Sequence, residues 1–167
     1  MVGLMDIFMG RPPRPALARW ALLPVRLIVG YGFIAHAQAK LLRGPDVFAN
    51  TLHGLGVPAP LLMAWATILV EFFGGLVVLL GAFVALASIP MAIVLIVAIA
   101  TVHLPFGFSS VKLVAVTPAG PQFGPPGSEV ALLYLAGLAA LVMGGAGPWS
   151  IDAWLRRRHA DPALTSD

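Results

Sequence analysis

Five ionisable side chains lie inside or at the ends of long apolar runs: Arg26, His36, Lys40, Glu71 and His103. Glu71 is the most conspicuous. It is the one charged residue between Val57 and Phe108, set within "ILVEFFGGLVVLLG". A carboxylate surrounded by hydrocarbon must be matched by a charge or by hydrogen bonds, because an isolated buried charge is far too costly to keep. His36 and Lys40 are one helical turn apart and share a face.

The elements that must position these groups follow from composition. Of 167 residues, 59% are hydrophobic and 10% charged, against roughly 25% charged in soluble domains. The 52 residues from Val57 to Phe108 would make one helix about 78 Å long, whereas a bilayer core is about 30 Å thick and is crossed by roughly 20 residues. The stretch therefore reads as two membrane helices with a tight turn near residues 81–88. Two more apolar runs complete the pattern, giving spans of 20–42, 59–80, 84–104 and 128–143. Strand periodicity is absent, so the expected fold is an all-α integral membrane protein, a four-transmembrane-helix bundle. The expected organisation is a cytoplasmic or interfacial segment 1–19, a transmembrane domain 20–147, and an interfacial helix with a disordered tail at 148–167.

Two connections differ from the others. "RGPDVFANTLHGLGVPAP" carries Val47, Phe48, Leu52 and Leu55 on one side and reads as a short surface helix. "GFSSVKLVAVTPAGPQFGPPGSE" is a long Pro/Gly-rich loop, expected to cap one bundle end and order against the segment around His53. After the last span, Ser150 is a candidate N-cap for a short helix with Trp149 and Trp154 at the head groups.

The net charge of +3 does not indicate a nucleic-acid partner, because the basic residues flank the spans. Arg11, Arg14, Arg19, Arg156, Arg157 and Arg158 fall on one side, and Arg43, Lys112 and at most Lys40 on the other. This bias places both termini in the cytoplasm. The chain has no cysteine, which excludes disulfides, thiolate metal sites and dithiol chemistry within it. No metal site is expected.

Depths along the spans suggest who meets whom. Arg26 lies about 9 Å inward from Trp20, and Glu71 about 15 Å inward from Gly81 on the same side. Arg26 is thus the first-choice partner for Glu71, with Lys40 and His36 second. The cluster has two readings. One is a buried pair that fixes helix register; the other is a polar site for a ligand, a proton or a quinone head group, since ionisable groups within spans usually face a functional interior. His36 and His103 lie at similar depth, where interfacial hydrogen bonding is expected; haem ligation, which needs two facing and supported histidines, is disfavoured. Gly74 and Gly75 of "FFGGL" are expected to permit close helix approach.

Taken in order, "RLIVGYGFIAHAQAKL", "LHGLGVPAP", "ATILVEFFGGLVVLLGAF", "GSEVALLYLAG" and "GAGPWSID" resemble the DoxX family of small bacterial four-helix membrane proteins. The resemblance covers about residues 26–152 and places Arg26, His36, Lys40, Glu71 and Glu129 at recurrent polar positions. Ala37 stands where the family commonly has glycine, and Val84 and Ala85 where many relatives carry Thr-Arg. The resemblance implies a multi-pass protein of the bacterial inner membrane, a small subunit of a quinone-associated respiratory or redox-linked complex with other membrane subunits as partners. A non-catalytic scaffold subunit and a small-molecule or proton carrier are the alternatives. No cofactor is evident beyond a possible quinone. The sequence names no reaction, substrate, partner protein or oligomeric state.

Overall fold

The computed structural model describes residues 19–160. The expected N-terminal interfacial segment around Leu4 to Met9, with Arg11 and Arg14, and the tail at 161–167 lie outside the described residues.

Among the described residues six α-helices follow one another: α1 Leu23–Arg43, α2 Pro45–Gly54, α3 Pro60–Leu80, α4 Val84–Ala98, α5 Glu129–Gly144 and α6 Ile151–Ala160. Their limits follow the sequence punctuation. Proline occupies the first turn of α1, α2 and α3, where the missing N–H has no helical acceptor to lose. Gly44, Gly81 and Gly145 close α1, α3 and α5 with positive φ angles, a conformation that glycine adopts without a Cβ clash. Helix α4 continues through a π turn, Ile99–His103, and a 3₁₀ turn, Leu104–Phe106. The widened turn takes His103 off the regular phase of α4.

Helix α1 packs most extensively on α3, α3 on α4, α4 on α5, and α5 back on α1, closing a ring of four. The α1–α3 seam is antiparallel and very close. A Cβ on Gly75 would lie 2.7 Å from the Gly30 carbonyl oxygen, and one on Gly30 would lie 2.9 Å from that of Gly75. Gly74 faces the other neighbour, where a Cβ would meet the Met91 side chain of α4 at 2.8 Å. The Gly-Gly step thus seats two helices at once, the packing role expected of it. Phe33, Val78, Met91, Leu138 and Leu141 fill the centre, each at most 2% exposed. Ala37 is fully buried, so the position keeps its close packing with a methyl group in place of glycine.

Outside that core the helices are apolar as well. Leu62, Phe73, Leu86, Ile93, Leu133 and Met143 are all more than half exposed. A water-soluble surface does not carry apolar area of this extent. Pro60–Leu80 and the continuous helix Val84–Phe106 are each long and apolar enough to cross a membrane, and α5 is a shorter apolar helix of 16 residues.

One expectation is corrected. The long Pro/Gly loop carries two strands, so the mostly helical protein is not wholly α-helical. The loop forms an antiparallel hairpin of β1 Leu113–Thr117 and β2 Gly120–Phe123, paired from Leu113↔Phe123 to Thr117↔Gly120 with an irregularity between Leu113 and Ala115. "LVAVT" supplies the strand formers. Pro118 and Ala119 make the turn, and Gly120 has φ +116°, an angle other residues rarely adopt. The strands pack chiefly on each other, not on the segment around His53. Their base is fixed instead by backbone bonds that join Gly107, Phe108 and Ser109 to Ser128, Glu129 and Gly127.

Candidate functional site

Lys40 reaches Glu71. Its Nζ donates to Glu71 Oε2 at 2.5 Å, the one ion pair among the described residues. The register of the seam explains it. Gly75 of α3 is level with Gly30 to Ile34 of α1, and the helices run in opposite directions. Glu71, one turn before Gly75, is therefore level with about residue 36, and Lys40 spans the remaining turn. The aliphatic stem lets the ammonium reach along the seam. The Phe48 ring of α2 lies 5.3 Å from Nζ, a cation–π contact that orients the lysine. The second carboxylate oxygen of Glu71 has no hydrogen-bond partner among the described residues.

Arg26 is elsewhere, which corrects the first-choice pairing. It is level with Gly81, where a Cβ would lie 2.8 Å from its guanidinium. Glu71 is ten residues earlier in the chain, about 15 Å away along α3. Arg26 instead donates to three main-chain carbonyls of the turn after α5: Ala146 at 2.5 Å, Pro148 at 3.4 Å and Trp149 at 3.1 Å. It is buried and acts as a clamp on that turn. Next to it, Asp152 accepts from the N–H groups of Phe83 at 2.8 Å and Val84 at 3.5 Å. It thus caps α4 from a distant part of the chain, and its own N–H bonds the Gly81 carbonyl. Ser150 caps α6 through the Ala153 N–H at 3.1 Å, as the sequence pattern indicated.

The cavity beside the ion pair has a volume of about 340 Å³. Four of the sequence-selected residues line it, namely Glu71, Lys40, His36 and His103, from α1, α3 and the π turn. His103 Nδ1 lies 3.1 Å from the Pro126 carbonyl oxygen. A carbonyl only accepts, so Nδ1 carries the proton and Nε2 is left unshared. Glu129 is not part of this wall. Its carboxylate accepts the Ser110 N–H at 2.9 Å and fastens the base of the hairpin.

Sequence reasoning missed Tyr134 and Phe33. Both line the cavity, with rings edge-to-face at 5.4 Å, and Tyr134 also meets His36 at 5.8 Å. The Tyr134 hydroxyl lies over Gly32, where a Cβ would approach it to 1.7 Å. The available signal was the "GYGF" glycine opposite a lone tyrosine in α5. The remaining walls are apolar, with Val94, Leu95 and Ala98 from α4. Among the described residues no three His, Asp or Glu side chains stand close enough together to hold a metal ion. A donor and an unshared acceptor side by side, backed by aromatic and aliphatic walls, suit a largely apolar organic molecule with one polar end.

Comparison with known proteins bears on the same elements. The DoxX family model matches residues 21–104, covering α1 to the π turn and so Lys40, Glu71 and His103. The chain belongs to the DoxX family. An uncharacterized membrane protein of Mycobacterium tuberculosis, Rv3486, is 28% identical over 142 residues, 83% of either chain. No solved structure matches the chain. This DoxX family protein is a membrane protein, and its two longest apolar helices flank the turn that Asp152 secures.

Proposed function

We propose that this chain is a multi-pass subunit of a bacterial inner-membrane redox assembly, and that its Glu71–Lys40 cavity receives the head group of a quinone. The carrying observation is the cavity itself: about 340 Å³, with apolar and aromatic walls around a lysine donor and an unshared carboxylate oxygen. A quinone carbonyl accepts from the ammonium, a quinol hydroxyl donates to the carboxylate, and a flat ring packs against the aromatic wall that Tyr134 and Phe33 form. The same pair therefore serves both redox states of the ligand.

Placement in the membrane is part of the proposal. Helices α1, α3, α4 with its π turn, and α5 each cross the bilayer as a four-helix bundle. The ring packing and the exposed apolar exteriors support this. The six-to-three bias of basic residues places both termini in the cytoplasm and the hairpin on the opposite side. Other membrane subunits are the expected protein partners. A scaffold role is the second reading, favoured by the way Arg26 and Asp152 are spent on fixing the turns rather than on a cavity.

The experiment is purification of the full chain in mild detergent, with mass spectrometry of everything that accompanies it. Bound quinone together with partner subunits is expected for the wild type. Partner subunits with no quinone, unchanged in Glu71→Gln, would leave the scaffold reading in its place.

A further inference from the structure

A second pocket, of about 250 Å³, lies at the other end of the molecule from the hairpin. Three arginines line it: Arg19 ahead of α1, and Arg156 and Arg157 on α6. Its remaining wall is largely main chain, from the glycine turn after α5 at Gly145 and Gly147. Both glycines have positive φ; a Cβ on Gly145 would meet nothing within 4 Å, so the backbone is open there, and one on Gly147 would lie 3.3 Å from the Arg19 carbonyl oxygen. The Arg26 clamp turns the Ala146 carbonyl inward. In a trans peptide the N–H points opposite to the carbonyl, so the Gly147 N–H is directed away from Arg26. It has no hydrogen-bond partner among the described residues. The nearest carboxylate on α6, Asp152, is occupied with the N–H groups of Phe83 and Val84. The pocket thus brings three arginines to a glycine turn. Such a set is made for an anion with several equivalent oxygens.

We infer that this pocket holds the phosphate of an anionic phospholipid head group. The surroundings favour a lipid over free phosphate. Trp20 and Trp149 stack edge-to-face at 5.1 Å beside it, and Trp149 and Trp154 are 80% and 51% exposed, as aromatic side chains are at head-group depth. Val142 and Met143, at the end of α5 next to Gly144, are exposed and offer an apolar path for an acyl chain. Basic pockets at the ends of membrane helices recognise anionic head groups by this combination. The inference stands apart from the Glu71 cavity and from the identity of anything bound there.

The test uses the full chain, stripped of lipid by exchange in neutral detergent. Phosphatidylglycerol, phosphatidylcholine and inorganic phosphate are added separately, and bound lipid is counted by native mass spectrometry. Phosphatidylglycerol should bind to the wild type with a raised Tm, and the other two should bind far more weakly. Each pocket arginine is worth about fivefold in affinity, so R157A should weaken binding about fivefold and R156A/R157A about twenty-five-fold. R158A removes the same charge from the same helix outside the pocket and should weaken binding clearly less than R157A does. If the double variant does not fold, R19Q gives the same reading at about fivefold. Equal binding of phosphatidylcholine, equal affinity for inorganic phosphate, or a loss in R158A as large as in R157A would each overturn the inference.

Discussion

Lys40 and Arg26 stand on the same helix, and only one of them meets Glu71. The difference comes from where α1 begins. Trp20 belongs to a turn ahead of the helix, and α1 starts at Leu23. Arg26 is therefore shallower than a count from Trp20 implies, and its guanidinium turns toward the carbonyls of the following turn. Removing one member of a buried pair typically costs about 3–5 kcal/mol, because the other is left stranded. Glu71→Ala should lower stability by that order in thermal unfolding, and Glu71→Gln by less, because it keeps an acceptor. Changing Glu71 and Lys40 together to leucine and methionine should recover part of the loss. Glu71 with Arg26 should give simple additivity, since sites this far apart do not couple. Coupling with Arg26 in place of Lys40 would refute the assigned pairing. The need for a partner was legible in the composition around Glu71. The choice of partner was not, because it depends on a non-periodic turn in which even Trp149 takes a positive φ of 55°.

The helices themselves were readable, because apolar runs bounded by Pro and Gly carry strong signals. Short helix α2, Ser150 as a cap and the packing of Gly74 and Gly75 were also anticipated. The two glycines differ in what they face. At Gly75 a side chain meets backbone atoms of α1, which cannot move aside. At Gly74 it meets the flexible end of Met91. Gly75→Ala should therefore cost clearly more than Gly74→Ala when the two are unfolded side by side, and equal losses would contradict the seam described. The tertiary cap gives a second expectation. Asp152→Ala should cost about 1 kcal/mol, as loss of a helix cap does, whereas Asp152→Asn should cost less. The hairpin escaped notice because its prolines and glycines read as loop, while the alternation in "LVAVT" spans only five residues. Tyr134 was hidden for a related reason: a single aromatic in an apolar helix carries no pattern until Gly32 is seen opposite it.

At the scale of the whole molecule, the bundle has two unlike ends. One carries the clamp of Arg26, the cap of Asp152 and the arginine pocket. The other carries the hairpin, with the Glu71 cavity between it and the middle of the helices. This polarity makes the proposed topology testable in a chain without cysteine. Single cysteines at Ala119, in the exposed hairpin turn, and at Ser166 should label from opposite faces of intact cells or oriented vesicles. Labelling of both from one face would rule the arrangement out.

The proposed role rests on the cavity beside Glu71 and Lys40 taking a quinone head group. Titrating a short-chain quinone analogue into the purified full chain, with binding followed by quenching of tryptophan fluorescence or by calorimetry, tests it most directly. Saturable binding to the wild type is expected. At least about tenfold weaker binding of the quinone is expected in Lys40→Met, and of the reduced quinol form in Glu71→Gln, as when a charge-assisted hydrogen bond is lost, while Arg157→Ala binds both as the wild type does. Equal affinity in folded Glu71→Gln, Lys40→Met and wild-type protein would contradict it.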